Sequence, residues 1–475
     1  MHPSTVHAPL AALSAALILT LSGCKAYEPR ALDLDRTQRE YLLRALDGPV
    51  VEQFHEAGRP DSAPDATLDL ADGITLAEAE AIALVFNRGL RAARLAAGVT
   101  QASAENAGLW QDPTLGVDFS KIVSGASQGL DAIVSVGFTL PVSGRLDLER
   151  ERLGAEHAAE LARVAALEWE TVASLRRAWT ERAGIAREAE ATRDVLHRVE
   201  QVTAIVDRME SAGELARIEA RLFRIEDAKL RSRLAALESE LSRATHAVEA
   251  MLDLPPAAGR FFTGEFVSSP RLGADGRDAA LAAIRDTNPA VLRARAEHEV
   301  AERTLEEEIR KQWPDLVLSP GYGDDQGDRK FVLGVGVALP LLNGNRAGIA
   351  VAEAAREAAR WRAESELQRV LGALLAAEER LAQSVARRES LERTLVPLVE
   401  AQYEETRAVA RLGEVKTLVL LESLKQQLEA RNEMIAARRD EALAAIDIEE
   451  LLGPPGRAAT LGPPGRAARD EGSQP

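Results

Sequence analysis

At 475 residues, with 46% hydrophobic but only 4% aromatic residues, the chain draws its apolar share mainly from Ala, Leu and Val. That mix suits long, closely packed helices and suits a large ligand pocket poorly. A net charge of −17 excludes nucleic acid as an electrostatic partner, and a single cysteine excludes an internal disulfide framework.

The first distinct segment is an apolar run at 10–21, too short to span a bilayer, followed by Leu21-Ser22-Gly23-Cys24. It resembles a bacterial lipoprotein signal, which implies a signal peptide over 1–23 and a mature chain starting at an acylated Cys24. The start departs from that pattern, because Met1 to Pro9 contains no Lys or Arg. An ordinary signal peptide with an incidental cysteine is the competing reading. Lys25, where inner-membrane retention needs Asp, points to the outer membrane. Residues 24–73 carry Pro29, Pro49, Pro60 and Pro64 and read as an extended N-terminal arm with one short helix near Thr37 to Leu46. From Leu76 to about Trp110 the apolar spacing near 3.6 predicts one helix, stopped by Pro113.

The period then changes to two. Leu115, Val117 and Phe119 alternate with Gly116, Asp118 and Ser120; Val134, Val136, Phe138 and Leu140 alternate with Ser135, Gly137 and Thr139. A second pair repeats this at Leu316, Leu318 and Tyr322 and at Phe331, Leu333, Val335, Val337 and Leu339. Large apolar side chains on one face and Gly, Ser, Thr and Asp on the other match a membrane barrel wall, and equally match a soluble sheet with one buried face. Four strands are too few to close a barrel in lipid, so a membrane wall demands oligomerisation; three chains make twelve strands.

After each strand pair the sequence predicts a very long helix, from about Leu146 to Met209 and from about Ala347 to Arg411, each about 95 to 100 Å at 1.5 Å per residue. Ser211-Ala212-Gly213-Glu214 and Arg411-Leu412-Gly413-Glu414 reverse the chain into return helices ending near Leu252 and Leu452. Ser211 with Glu214 is expected to form a capping box for the first return helix. Leu215, Ile218, Leu222 and Ile225, then Leu230, Leu234, Leu237 and Leu241, mark a near-heptad seam for coiled-coil packing. The tail repeats Leu-Gly-Pro-Pro-Gly-Arg-Ala-Ala at Leu452 and Leu461, and disorder is expected over 454–475.

Much of this is stated twice, about 200 residues apart: Asn87 and Asn288, Pro113 and Pro314, Phe138-Thr139-Leu140-Pro141 and Val337-Ala338-Leu339-Pro340, Gly144 and Gly344, Gly213-Glu214 and Gly413-Glu414. So long a period marks a duplicated structural unit and not a solenoid repeat. The expected organisation is a first repeat over 74–254, a linker over 255–276 and a second repeat over 277–453. The fold class is mainly α with β, long antiparallel coiled-coil helices plus four strands that contribute to a trimeric barrel.

Leu76-Ala77-Glu78-Ala79 leading into Asn87 and Leu90, Asn288-Pro289, Phe138 to Arg145, Leu339 to Arg346 and Arg411-Leu412-Gly413-Glu414 together resemble the TolC family of outer-membrane efflux proteins, in its lipid-anchored form. The resemblance covers about Leu76 to Leu452. Two departures stand in the first copy: Asn87-Arg88-Gly89 replaces the family's Asn-Pro, and no Arg-Leu pair precedes Gly213. The resemblance implies a homotrimer in outer-membrane lipid with a helical body in the periplasm. It also implies an adaptor protein docked on the helical tips and an inner-membrane pump, of the RND type. The run Pro340 to Arg346 is similar to heavy-metal cation-efflux members. Adaptor contact falls on Ser211, Gly213, Arg411, Leu412 and Gly413, against which a plain helix-turn-helix cap competes.

Chemistry-bearing motifs are missing. There is no Gly-Lys-Ser or Gly-Lys-Thr phosphate loop and no His-Glu-x-x-His pair, so neither an enzyme nor a cofactor nor a bound metal is expected. Asp324-Asp325-Gln326-Gly327-Asp328 suits a hairpin turn better than a calcium loop. Asp207, Glu210, Glu214, Glu404, Glu405 and Glu414, copied threefold, would ring a tunnel mouth and favour cations, while solvated helix faces explain each of them singly. The function expected is a passive outer-membrane conduit of a tripartite exporter for metal cations or small toxic compounds. A lipid-anchored periplasmic coiled-coil scaffold without a pore is the alternative.

Overall fold

The structure, a computed structural model, describes residues 25, 27–44, 73–121, 130–256, 262–264, 266, 274–325, 328–411 and 417–454. Residues 1–45 and 46–475 form two separate units. In the first, helix α1 spans Leu34–Leu42, three residues earlier than the sequence suggests, because the Asp33 carboxylate accepts the Arg36 N–H at 2.8 Å and caps it there.

In the second unit, α2 (Leu76–Phe86) opens on a capping box in which Thr75 and Glu78 satisfy each other's backbone N–H groups. Here the expected single helix from Leu76 to Trp110 is corrected. The chain breaks at Asn87, whose extended backbone (ψ 116°) ends α2 and whose side chain caps α3 (Arg88–Glu105) by accepting the Leu90 N–H at 3.1 Å. The strands β1 (Thr114–Lys121) and β2 (Leu130–Leu140) follow, then α4 (Arg145–Ser211), 67 residues long. The return helix is α5 (Arg217–Met251). The second half repeats the order: α6 (Ala274–Thr287), α7 (Pro289–Arg310), β3 (Leu316–Asp325), β4 (Asp328–Val337), α8 (Arg346–Ser390), α9 (Val396–Arg411) and α10 (Thr417–Leu452).

The second long helix is not the uninterrupted rod expected over Ala347 to Arg411. Residues Leu391–Leu395 form a π-helical turn between α8 and α9, closed by the Val396 N–H on the Leu391 carbonyl. Pro397 sits just beyond it. Proline supplies no N–H, and its ring collides with the carbonyl four residues back; the wider π turn relieves both demands.

The two largest of the apolar clusters among the described residues lie one in each half. Ile82 of α2, Leu175 and Trp179 of α4 and Val248 of α5 bury together with Phe262, whose ring meets Trp179 edge-on at 5.5 Å. Ile284 of α6, Val291 of α7, Val370 and Leu374 of α8 and Ile448 of α10 form the second. Between the halves Arg176 of α4 donates to Glu80 of α2 at 2.6 Å and to Glu449 of α10 at 2.7 Å. Burying those charges is tolerable because each is paired.

Two further expectations are corrected. Ser211 and Glu214 form no capping box: the Ser211 hydroxyl donates to the Arg208 carbonyl at 2.7 Å, and α5 begins only after Ala216 with no side-chain cap. The reversal is closed from the other side, where α4 ends in a Schellman motif. Gly213 takes a left-handed φ of 78°, with Glu214 N–H on the Met209 carbonyl and Gly213 N–H on that of Glu210. In the seam, Leu230 and Leu237 are buried and Leu234 packs beside them, yet Ile218, Leu222 and Ile225 are exposed. Ala220 and Phe223 take their place in the core, because α5 carries apolar residues on two faces and only α4 packs closely against it.

Candidate functional site

The four strands form one antiparallel sheet in the order β1-β2-β3-β4. Its register assembles the alternation of each strand into rows. Val117, Val134, Tyr322 and Phe331 lie side by side across all four strands, and Phe138, Leu318 and Val335 across three. These side chains share one face, and Tyr322, Phe331, Val335 and Phe138 are exposed on it, as is Phe119 of β1. A one-residue slip in any pair would send its apolar set to the other face, so the row pattern and the register enforce each other.

The opposite face is built largely of Gly, Ser and Thr, with Ile133, Val317 and Val332 among them. A Cβ on Gly137 would stand 2.5 Å from Thr114 Oγ1, and one on Gly323 would stand 2.3 Å from the Ala132 carbonyl oxygen and 2.8 Å from Ile133 Cα. Glycine is therefore a packing requirement at Gly323, where backbone is met, while at Gly137 the Thr114 hydroxyl must turn away to admit a Cβ. Asp118 and Lys330 lie on it, in one row with Ile133 and Gly323. Strands β1 and β4 each pair on one side only among the described residues, leaving two open edges.

Where the strands meet the helices, each copy makes the same tight turn after its Leu-Pro pair. Val142 N–H bonds to the Leu140 carbonyl and Leu341 N–H to that of Leu339, both at 2.9 Å. Asp315, just before β3, accepts from Ser143 Oγ at 2.7 Å and from Arg145 Nε at 2.5 Å, tying β3 to the start of α4. The start of α8 is tied by Asn345, which donates to the Glu308 carboxylate at 2.7 Å and to its carbonyl at 2.8 Å. Hydrogen bonds from Lys311 and Asn345 hold the Glu308 carboxyl below its ordinary value against the opposing effect of burial.

At the far end of the helices, Asp207 and Glu210 are not free carboxylates. Arg224 of α5 donates to Asp207 at 2.6 Å and to Glu210 at 2.5 Å, and Arg217 approaches Glu210 at 3.4 Å. Hydrogen bonds to Asp207 first and Glu210 second raise the Arg224 pKa. Glu214 and Glu405 are exposed, and Glu404 approaches Arg407 at 3.5 Å. Ser211 and Gly213 lie in the α4–α5 reversal. Arg411 is the last residue of α9, while Leu412, Gly413 and Glu414 lie outside the described residues, as do Cys24 and 455–475. Above the tip a groove of about 610 Å³ opens between α4, α9 and α10, where Arg198 stacks on Tyr403 at 5.6 Å and donates to Gln427 at 3.0 Å. Among the described residues no group of three or more His, Cys, Asp or Glu could hold a metal ion, and no helix is long and apolar enough to cross a membrane.

Two contributions escaped the sequence reading. Asn87 and Asn288 donate across to the carbonyls of Met251 and Leu451, at 3.1 and 2.8 Å, and so fasten each helix start to the end of a return helix. Their spacing relative to the duplication was the available signal. Arg224 carried none, since its partners are 14 and 17 residues away across a reversal.

A helical hairpin with a pair of strands, repeated within one chain, and a four-stranded sheet open at both edges among the described residues define the protomer. No family model matches the chain. It is 24% identical over 250 residues to the cobalt-zinc-cadmium resistance protein CzcC of Cupriavidus metallidurans, a match that covers 52% of this chain and 59% of that relative's length. Among solved structures it superposes on the outer membrane protein VceC of Vibrio cholerae with a TM-score of 0.67 at 17% identity, covering 80% of this chain and 96% of VceC. The MtrE outer membrane channel of Neisseria gonorrhoeae, in its open state, gives a TM-score of 0.66 at 16% identity, covering 84% and 96%. The fold of this chain is that of the TolC-type outer-membrane channels.

Proposed function

We propose that this chain is the outer-membrane conduit of a tripartite exporter. Three copies join β4 of one to β1 of the next in a twelve-stranded barrel, with the apolar face toward lipid and the small-residue face toward a water-filled lumen. The observation that carries this reading is the continuous apolar face across all four strands of a sheet with two open edges. Unpaired edges are untenable in hydrocarbon, and closure by further copies removes them. The repeats over 74–254 and 277–453 supply the periplasmic tunnel, with 24–73 as an arm and acylated Cys24 as an anchor. Ser211, Gly213, Arg411, Leu412 and Gly413 meet a periplasmic adaptor coupled to an inner-membrane pump of the RND type. Glu214, Glu405 and Glu414, with Asp207 and Glu210 behind their arginines, line the tunnel mouth. The cargo is metal cations, in keeping with the resistance function in the name of the relative from Cupriavidus metallidurans.

Growth of a strain lacking the chain against divalent and monovalent metals, lipophilic drugs and detergents tests this. Sensitivity to metals alone supports a cation conduit, and sensitivity to drugs alone reassigns the cargo. No sensitivity, with a protein that extracts as a monomer, favours the periplasmic scaffold.

A further inference from the structure

Inside the chain the two repeats meet at a complete joint. Strand β2 pairs with β3 so that Leu140 faces Leu316 and Phe138 faces Leu318. Just below, Arg145 in the first turn of α4 donates to the Asp315 carboxylate at 2.5 Å. The helices beneath the sheet keep the order of the strands, α3 beside α4, α4 beside α7 and α7 beside α8.

The two outer flanks hold the halves of a second such joint. By the duplication, the pair Leu140 and Leu316 becomes Leu339 and Leu115, and the pair Phe138 and Leu318 becomes Val337 and Val117. These lie at the open edges, one on the β4 side and one on the β1 side. Arg346 opens α8 as Arg145 opens α4, yet it is exposed and makes no ion pair among the described residues. Asp112, just before β1, is exposed and likewise in no ion pair among them. Arg346 lies seven residues beyond Leu339, where Arg145 lies five beyond Leu140; Asp112 lies three before Leu115, where Asp315 lies one before Leu316. Both groups are thus two residues farther from the last strand pair, and the displacements match. On α3, Leu95 and Val99 are 68% and 67% exposed. They hold the places of Ala296 and Val300 on α7, on the helical face whose Arg303 and Glu307 bond to α4.

We propose that the contact between copies repeats the internal joint, with Val337 of one copy opposite Val117 of the next and Arg346 of the first paired with Asp112 of the second. The proposal rests on the conduit reading and adds the register and the ionic link of its closure. The occupant of each edge is a second copy, because the chain already contains the covered form of the same joint. The register keeps apolar face against apolar face, which a one-residue slip would reverse. It also staggers successive copies by about six residues, which tilts twelve strands by about 45°, as closure of a membrane barrel requires.

Oxidative cross-linking of paired cysteines tests the register, and charge reversal tests the ion pair. The unaltered chain, with Cys24 its single cysteine, is the control. V117C/V337C should give covalent oligomer on a non-reducing gel, since directly opposed residues stand about 4.5–5.5 Å apart at Cα, within disulfide reach. F119C/V337C, two residues out of register, should give none. R346D and D112R should each lose most of the oligomer that resists unheated detergent, and R346D/D112R should regain it. Linking in F119C/V337C instead, single reversals that leave the oligomer intact, or a double reversal no better than the single ones overturns the joint while the barrel stands. No link in either cysteine pair also overturns it, and if that protein extracts as a monomer the conduit reading falls as well.

Discussion

Asn288 makes three hydrogen bonds from one buried side chain: its oxygen accepts from Ala290 and Val291 N–H, both at 3.0 Å, and its amide donates to the Leu451 carbonyl. Asn288→Ala removes a helix cap and strands a carbonyl at once, so it should cost about 1–3 kcal/mol in urea unfolding. Asn288→Asp keeps the cap and loses only the donor, and should fall between. The glycines of the small-residue face separate in the same way. Gly323→Ala brings a Cβ against the backbone of β2 and must part the strands, whereas Gly336→Ala meets only Val317 Cβ at 3.7 Å. We expect a loss of about 1–3 kcal/mol for the first, and for the second a change within about 0.5 kcal/mol, read as heat resistance of the assembled protein in detergent.

At the level of whole elements, α4 and α5 are joined near the tip by Arg224. It is half-exposed, so Arg224→Ala should leave the unfolding midpoint nearly unchanged. It frees Asp207 and leaves Glu210 only the Arg217 contact, however, and on the conduit reading should shift the reversal potential in a planar bilayer toward greater cation selectivity, an effect that added salt weakens. The junction of α7 with α8 depends on an ionised Glu308. Its carboxyl titrates below the ordinary range, so its contribution is full above the unfolded carboxylate value near pH 4 and is lost as pH falls through its folded value. Unfolding followed against pH should show Glu308→Gln with a flatter acid limb than the unaltered chain. The π turn before Pro397 illustrates why element boundaries resist reading. Helical periodicity continues through it, and a single imino nitrogen decides the geometry.

For the molecule as a whole, the open sheet is the determining feature. Val335→Lys places a charge in the middle of the apolar face while leaving every backbone pair intact. On the conduit reading the position lies at mid-bilayer, where the charge costs about 2–4 kcal/mol in each copy. The variant should be found as a folded, water-extractable helical protein lacking the oligomer that resists unheated detergent. An equal yield of oligomer would mean that the face does not meet lipid. The stripe Ile218, Leu222 and Ile225 on α5, exposed in one chain, marks where the seam expected within the chain gives way to a face uncovered by the described residues.

Period and repetition determined, from sequence alone, that there are two helical hairpins, four alternating strands and a duplicated plan. These are local properties, carried by residues two or three to four apart, and the second copy restates them. Only the tertiary structure decided which strand lies beside which, that Gly137 and Gly323 are held by neighbouring backbone and hydroxyl groups, and that Arg224 covers two tip carboxylates. It also decided that Asn87 breaks a helix in order to fasten another. Each of those depends on groups brought together from distant positions, and such contacts leave no period in the chain that makes them.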